Sequence, residues 1–386
     1  MKRITDDWIT AEATQNVCTA LTDAGAQALF VGGCVRNALL EEPASDIDIS
    51  TDARPEKVMD LARAAGLKAI PTGIDHGTVT VLSGGIPHEI TTFRRDVETD
   101  GRRAVVAFST HVEEDAARRD FTMNALYARP DGSILDPLGG LADLRARRVR
   151  FIGNAADRIR EDYLRSLRYF RFHAWYGDAE AGFDPRALSA ISANLDGLSA
   201  LSRERVGAEL LKLLAARDPA PAVAAMRQAG VLAQVLPGAD DRSLPVLIHL
   251  EQQAHAAPDR IRRLAAIAPA DVAGSLRLSK AQLQRLTRMR DEASGSASIA
   301  ELGFRYGAKG GLHETLLRCA FLEQPWSDDM RTALKQGAKA DFPIKAKDLI
   351  PAYSGAALGQ KLAELEARWI ASGFEMTRTE LLAGAV

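Results

Sequence analysis

The segment Ala28–Ser50 constrains the fold of this chain more than any other. It opens on an apolar run, Ala28-Leu29-Phe30-Val31, and meets a glycine pair, Gly32-Gly33. It closes on Asp46-Ile47-Asp48-Ile49-Ser50. The apolar run reads as a buried strand, and the alternation of period two reads as a second strand. Cys34–Leu40, between them, reads as a helix. A strand, a glycine turn, a helix and a strand in so short a stretch demand a sheet with a helix packed on it. The dinucleotide fingerprint G-x-G-x-x-G and the P-loop Lys-Ser/Thr are both absent, so neither of those nucleotide sites is present in this stretch.

The mixed pattern continues to about Arg145. Gly25 closes an N-terminal helix, and Pro55 opens one that ends at Gly66. "GTVTVL" (Gly77–Leu82) and "HEITTF" (His88–Phe93) read as two strands joined in a hairpin by "SGGIP". Beyond Arg145, alanine, leucine and arginine dominate. "IREDYLRSLRYFRFHAWYG", "RERVGAELLKLLAARDP" and "KAQLQRLTRMRDEA" carry helical spacing, and strand signals nearly vanish. The expected class is therefore α+β, a mixed head followed by an all-helical remainder. Loops at Val235–Pro245 and Leu322–Asp329 offer breaks in the helical part. The expected division is residues 1–145, 146–235 and 236–386, which suits a length of 386 residues.

A formal net charge of −2 means that any nucleic-acid surface must be a local patch. Cys18, Cys34 and Cys319 are far apart and form no C-x-x-C. This excludes a disulfide framework and a cysteine zinc site, and fits the cytoplasm. "MKRITDDWIT" lacks the apolar core of a signal peptide, and no apolar run reaches the length of a membrane span. The seven histidines show no ligand spacing.

Asp46 and Asp48 stand two apart on a strand, so both carboxylates leave one face. Such a pair is either a solvated edge or the holder of a cation. Oxygen donors of this kind suit Mg²⁺, which takes one or two carboxylates plus substrate phosphates. The neighbouring glycines favour the second reading. Gly32 and Gly33 let the backbone approach a phosphate, free N–H groups start the next helix, and Arg36 lies in its first turn. The segment thus offers phosphate donors and a metal pair together, as a metal–triphosphate requires. Two-metal phosphoryl transfer often employs a third carboxylate. Glu89, on the second arm of the hairpin, is the candidate, against the alternative of an ordinary outward strand residue.

G-G-x-V-R followed by D-x-D, then "EITTFR", "EEDAARRDFTMNALY" and "RIREDYLRSLRYFRF", resembles the class II tRNA nucleotidyltransferase / bacterial poly(A) polymerase family. "SRERVGAELLKLL" and "ALGQKLAELEARWIASGF" extend the resemblance further along the chain. It implies a head like that of DNA polymerase β, followed by a helical neck, body and tail. It implies that Arg119, in an otherwise salt-bridge-like "RRD", contacts the nucleotide. It also implies that Arg94–Phe108 corresponds to a flexible loop needed for adding the final A. The family usually has Asp after the motif arginine; this chain has Asn37, which carries no charge.

The resemblance further assigns base choice to Asp162 and Arg165, with Arg168 and Arg171 also at the nucleotide. The chemistry is sound. Cytosine and adenine both show an amino donor beside a ring-nitrogen acceptor. A carboxylate accepts from the first, and a guanidinium donates to the second. Guanine and uracil present the opposite pattern there. The alternative for this segment is a solvated helix carrying a Glu161–Arg165 pair. The implied activity is addition of C, C and A to the tRNA 3′ end from CTP and ATP, with Mg²⁺ and release of pyrophosphate. A poly(A) polymerase of the same family is the nearest rival, although the end "TRTELLAGAV" lacks the basic tail such enzymes tend to carry. A-only or CC-only addition, and a non-catalytic RNA-binding protein, are further alternatives. No His-Asp dipeptide occurs, so the phosphohydrolase domain appended to some members is not expected.

Overall fold

The computed structural model describes residues 3–43, 46–100, 103–269, 271–350 and 352–383. The fold is α+β, as expected. Among the described residues every strand lies before residue 136, and the rest of the regular structure is helical. The strands are β1 (Leu29–Val31), β2 (Ile47–Thr51), β3 (Lys68–Gly73), β4 (Thr78–Ser83), β5 (Ile86–Thr92), β6 (Arg94–Asp100), β7 (Arg103–Phe108), β8 (Tyr127–Ala128) and β9 (Ile134–Leu135). Seven form one sheet in the order β3-β4-β5-β2-β1-β8-β9. β2 and β5 are parallel; the other pairs are antiparallel.

Three buried residues in a row, Leu29, Phe30 and Val31, put β1 inside the sheet with both faces covered. In β2 and β5 the pattern alternates. Ile47, Ile49, His88 and Ile90 are buried, whereas Asp48 and Glu89 point to the opposite face. The helices Glu12–Thr22 and Pro55–Ala64 pack on β4 and β5. The β4–β5 turn passes through Gly84 at φ +56° and Gly85 at φ +80°, a two-residue turn that demands positive φ at both positions.

Arg94–Phe108, expected as a loop, is a two-stranded antiparallel ribbon of β6 and β7. The β-branched pair Val105-Val106 favours pairing despite the charged flanks; Gly101 and Arg102 lie outside the described residues.

The chain divides into two compact units, Met1–Pro237 and Gly238–Val386. The first contains the sheet and the helices to residue 237. In the second, among the described residues, the regular structure is entirely helical. Its interior holds an ionic knot in which Glu251 accepts from both Arg262 and Arg263 at 2.6 and 2.7 Å, all three buried. A separate cluster there packs Phe304, Phe342, Trp369 and Phe374. No described helix is long and apolar enough to cross a membrane.

Candidate active site

β1 ends at Val31, and the chain turns through Gly32 at φ +72° and ψ −120°, backbone that glycine adopts without strain. The helix Gly33–Leu39 follows at once, so its first N–H groups have no partner within the helix. A Cβ built on Gly32 would lie 3.7 Å from Arg119 Nη1. Arg119 and the glycine turn, separated by more than eighty residues, are thus neighbours.

Arg119 is held rigidly. Its Nη2 donates to Asp115 Oδ2 at 2.9 Å and to Ser50 Oγ at 3.3 Å, and its Nε donates to Tyr127 Oη at 3.1 Å. Tyr127 Oη donates in turn to Asp115 Oδ2 at 2.8 Å, and Arg118 donates to Asp115 Oδ1 at 2.6 Å. Burial works to raise the Asp115 pKa. Arg119 and Arg118 outweigh it and hold the carboxyl at about 2. Burial likewise opposes the Arg119 charge, and Tyr127 and Asp115 overcome it and raise the guanidinium pKa. The "RRD" segment is thus salt-bridged, and Asp115 ties down the arginine that faces Gly32.

In the β2–β5 register Asp48 stands opposite Glu89. Their side chains leave one face of the sheet from adjacent strands. β2 starts at Ile47, so Asp46 lies just ahead of the strand rather than on it, and it is exposed. Burial first, and the nearby Glu89 and Asp46 charges, push the Asp48 carboxyl up to about 6 against the pull of Arg119. A carboxylate whose ionisation is hindered by burial and by neighbouring carboxylates is the setting a divalent cation relieves, and the donors are all hard oxygens. Among the described residues no three His, Cys, Asp or Glu side chains form a ready cage. A cation held there would have to draw its other ligands from substrate or water.

Arg36 departs from expectation. Its first-turn position places it toward the same anion as the glycine turn, yet it is buried and turned toward the helix Leu164–Tyr176. It donates to Asn124 Oδ1 at 2.5 Å, Tyr176 Oη at 2.8 Å and Asn37 Oδ1 at 3.0 Å. The Tyr176 ring lies 4.1 Å from its guanidinium carbon. Burial lowers its pKa, with Tyr176 opposing. Asn37 also finds its reason here. While its oxygen accepts from Arg36, its Nδ2 donates to Pro43 O at 2.9 Å, a bond that an aspartate could not make.

"RIREDYLRSLRYFRF" is not one helix. Ala155–Glu161 ends, Asp162 is extended at φ −154° and ψ 106°, and Leu164–Tyr176 begins anew. Asp162 Oδ1 accepts from Leu164 N at 3.1 Å, the local bond by which Asp diverts a backbone from helix. Asp162 and Arg165 therefore flank a helix start rather than sharing a helix face. Asp162 Oδ2 accepts from Arg205 Nη2 at 2.6 Å. Arg165 donates to Glu161 Oε2 at 2.5 Å, to Arg158 O at 3.1 Å and to Arg118 O at 3.0 Å. Arg168 pairs with buried Asp120 at 2.6 Å, and Arg171 with Glu209 at 2.6 Å. Arg36, Arg168 and Arg171 surround the buried Phe172 ring at 5.1, 5.4 and 4.6 Å from its centroid. Each of these guanidinium groups is already paired, Arg36 with Asn124 and Tyr176, Arg168 with Asp120 and Arg171 with Glu209.

Asp115, Asp120, Asn124, Tyr176, Arg205 and Glu209 escaped the sequence reading as partners. The only signal was that most of them fall inside motifs already noted. Arg205 and Glu209 stand four apart on the helix Arg203–Leu214, and one meets Asp162 while the other meets Arg171 on the helix Leu164–Tyr176.

Residues 28–150 match the model of the poly(A) polymerase head domain, and residues 182–242 match the one described as "Probable RNA and SrmB- binding site of polymerase A". The chain is 31% identical over 377 residues to CCA tRNA nucleotidyltransferase 1, mitochondrial, of Danio rerio, covering 92% of this chain and 85% of that protein. It is 44% identical over 204 residues to the CCA-adding enzyme of Lactobacillus delbrueckii subsp. bulgaricus, covering 52% and 50%. The crystal structure of the Bacillus stearothermophilus CCA-adding enzyme in complex with CTP superposes with a TM-score of 0.73 at 28% identity, covering 97% and 94%. With a sheet that sets paired carboxylates near a glycine turn and an anchored arginine, and with relatives aligned along nearly its whole length, the chain belongs to the CCA tRNA nucleotidyltransferase / poly(A) polymerase family.

Proposed function

We propose that this chain adds C, C and A to the 3′ end of tRNA, transferring CMP twice and AMP once from CTP and ATP. The 3′-hydroxyl oxygen bonds to the α-phosphorus, the bond to the β-phosphate oxygen breaks, pyrophosphate leaves, and the hydroxyl proton passes to solvent. One observation carries the transfer chemistry: Asp48 beside Glu89 on one sheet face, with Arg119 fixed at the Gly32 turn. The names of the relatives support CCA as the product.

Asp46 and Asp48 would hold the divalent cations, Mg²⁺ on this reading, with Glu89 alongside. When bound, such ions acidify the attacking hydroxyl and neutralise charge on the phosphates. Gly32 and Gly33 leave room for the triphosphate, and Arg119 donates to it. Asp162 accepts from the base amino group, since each of its oxygens has a lone pair beyond the one used by Leu164 or Arg205. Arg165 spends two Nη1 donors and one Nη2 donor on Glu161, Arg158 and Arg118. Nε and the second Nη2 hydrogen remain for a ring nitrogen. Arg168 and Arg171 contribute positive charge, and Arg36 braces the cluster through Tyr176. Three buried free thiols, Cys18, Cys34 and Cys319, suit a reducing compartment, the cytoplasm on this reading.

Incubation with tRNA lacking its 3′ end, CTP and ATP, followed by product sequencing, is expected to show CCA and no further addition. A long A tail, or C or A alone, would replace this reading with one of its rivals. Arg165→Ala is expected to relax discrimination against UTP and GTP by about tenfold, the worth of one base-reading contact. Misincorporation assays check it, and unchanged discrimination would remove Arg165 from base choice.

A further inference from the structure

A second cleft lies beside this site in the first unit, with a volume of about 750 Å³. We propose that it holds an unpaired nucleotide of the RNA substrate, with the base on Trp175 and the adjoining phosphodiester on Arg147. The proposal rests on the RNA-extending activity proposed above.

Trp175 is 45% exposed, among the largest apolar exposures of the described residues. Its Nε1 donates to Lys212 O at 2.8 Å. That bond fixes the indole edge while the ring borders the cleft, a preorganised stacking platform. Tyr176 and Asn37 form the next part of the wall. Both accept from Arg36, so the cleft lies one side chain away from the arginine cluster.

Arg147 supplies the second observation. It is exposed, and its backbone sits at φ +48°. It closes the helix Gly140–Arg145 in a Schellman turn, with Arg148 N bonding Asp143 O at 2.8 Å and Arg147 N bonding Leu144 O at 3.0 Å. That position strongly favours glycine, and a side chain there is strained. The chain nevertheless keeps an arginine and braces it, since Arg147 O accepts from Asp178 N at 3.0 Å at the cleft edge. Among the described residues its guanidinium has no hydrogen bond. Strain retained under an uncommitted cation points to a role in binding.

The charges select the ligand. Glu42 and Asp218 line the cleft along with Arg147 and Arg217, so the wall has no net positive charge. A free triphosphate would be poorly served by that wall. A phosphodiester carries a single charge and needs one arginine. An unpaired base offers its face to Trp175 whatever its identity.

The test uses the full chain and 5′-labelled tRNA lacking its 3′-terminal CCA, with Kd from fluorescence anisotropy and KM for CTP from incorporation. Trp175→Ala and Arg147→Gly are each expected to raise the RNA Kd about tenfold and to leave the KM for CTP unchanged. Trp175→Phe should restore binding to within about twofold. Arg147→Gly should lower the slope of log Kd against log salt by about 1. It should melt at or above the wild-type Tm, because glycine relieves the turn. Wild-type Kd in both variants would overturn the proposal. So would a rise in the CTP KM at constant RNA Kd, which would make the cleft a free-nucleotide site, or a failure of phenylalanine to rescue. A wild-type chain that binds the RNA and incorporates nothing would instead refute the activity proposed above, and the binding comparison would still stand.

Discussion

Asp48→Asn should yield a protein that no longer incorporates nucleotide and that is more stable than wild type above pH 6. The sign follows from linkage. An aspartate titrates near 3.8 when unfolded, and burial with Glu89 and Asp46 moves Asp48 to about 6 in the fold. The folded state therefore holds this proton more tightly. The stability it contributes is fully present below pH 3.8 and is lost as pH rises through 6. Above that, keeping the carboxylate charged costs about 2 kcal/mol, allowing for its partial exposure. Asparagine has the same shape and no charge, so the cost disappears. Thermal unfolding at pH 5 and pH 7.5 checks this: the gap between variant and wild type should widen at the higher pH. Mg²⁺ should raise the wild-type Tm at pH 7.5 and leave the variant nearly unmoved. Incorporation of labelled CMP should fall by a factor on the order of 10³ or more, since metal ions supply several kcal/mol to phosphoryl transfer, while tRNA binding persists. Retained turnover would remove the metal assignment, and a variant less stable than wild type at pH 7.5 would remove the electrostatic one.

The parts of this site that sequence exposes are those with local signatures. The period-two run through Ile47 and Ile49, the apolar β1 and the Gly84-Gly85 turn declare themselves in a few residues each. What stays hidden depends on distant partners. Spacing places Arg36 in the first turn of its helix. The direction of its guanidinium is decided by Tyr176, 140 residues away, and by Asn124, 88 residues away. Asp162 shows a different limit. Glu161 to Arg165 keeps helical spacing straight through the break, because a pattern of period 3.6 cannot register one carboxylate capturing the Leu164 N–H. The resemblance makes Arg94–Phe108 a loop, and the chain pairs it into a ribbon whose strands carry no signature as plain as that of β1. The motif order identified the family, but not which side chains are spent on each other and which remain for a ligand.

Asp115→Asn is expected to be the most damaging single change outside the carboxylates proposed to hold the cation. Asp115 is fully buried and receives Arg118, Arg119 and Tyr127. Asparagine keeps one acceptor oxygen and turns an amide donor toward two guanidinium groups whose side chains are only 14% and 18% exposed. Breaking one partner of a buried ionic cluster in this way costs about 3–5 kcal/mol. The acid behaviour gives a second measure. The folded pKa of about 2 lies below the unfolded value of 3.8, so this stability is present above pH 3.8 and is lost as pH falls through 2. The variant should lack that component of the wild-type acid transition. Stability alone would not separate a structural role from a positioning one. Arg119 Nη1 faces Gly32, so loosening Arg119 should raise the KM for CTP and ATP about tenfold while the KM for tRNA holds. Tyr127→Phe, which removes one hydroxyl and leaves the charges paired, should shift the same nucleotide KM less. Equal changes in both KM values would mean that Asp115 merely holds the fold. A nucleotide-specific rise would mean that the carboxylate works through Arg119 on the triphosphate.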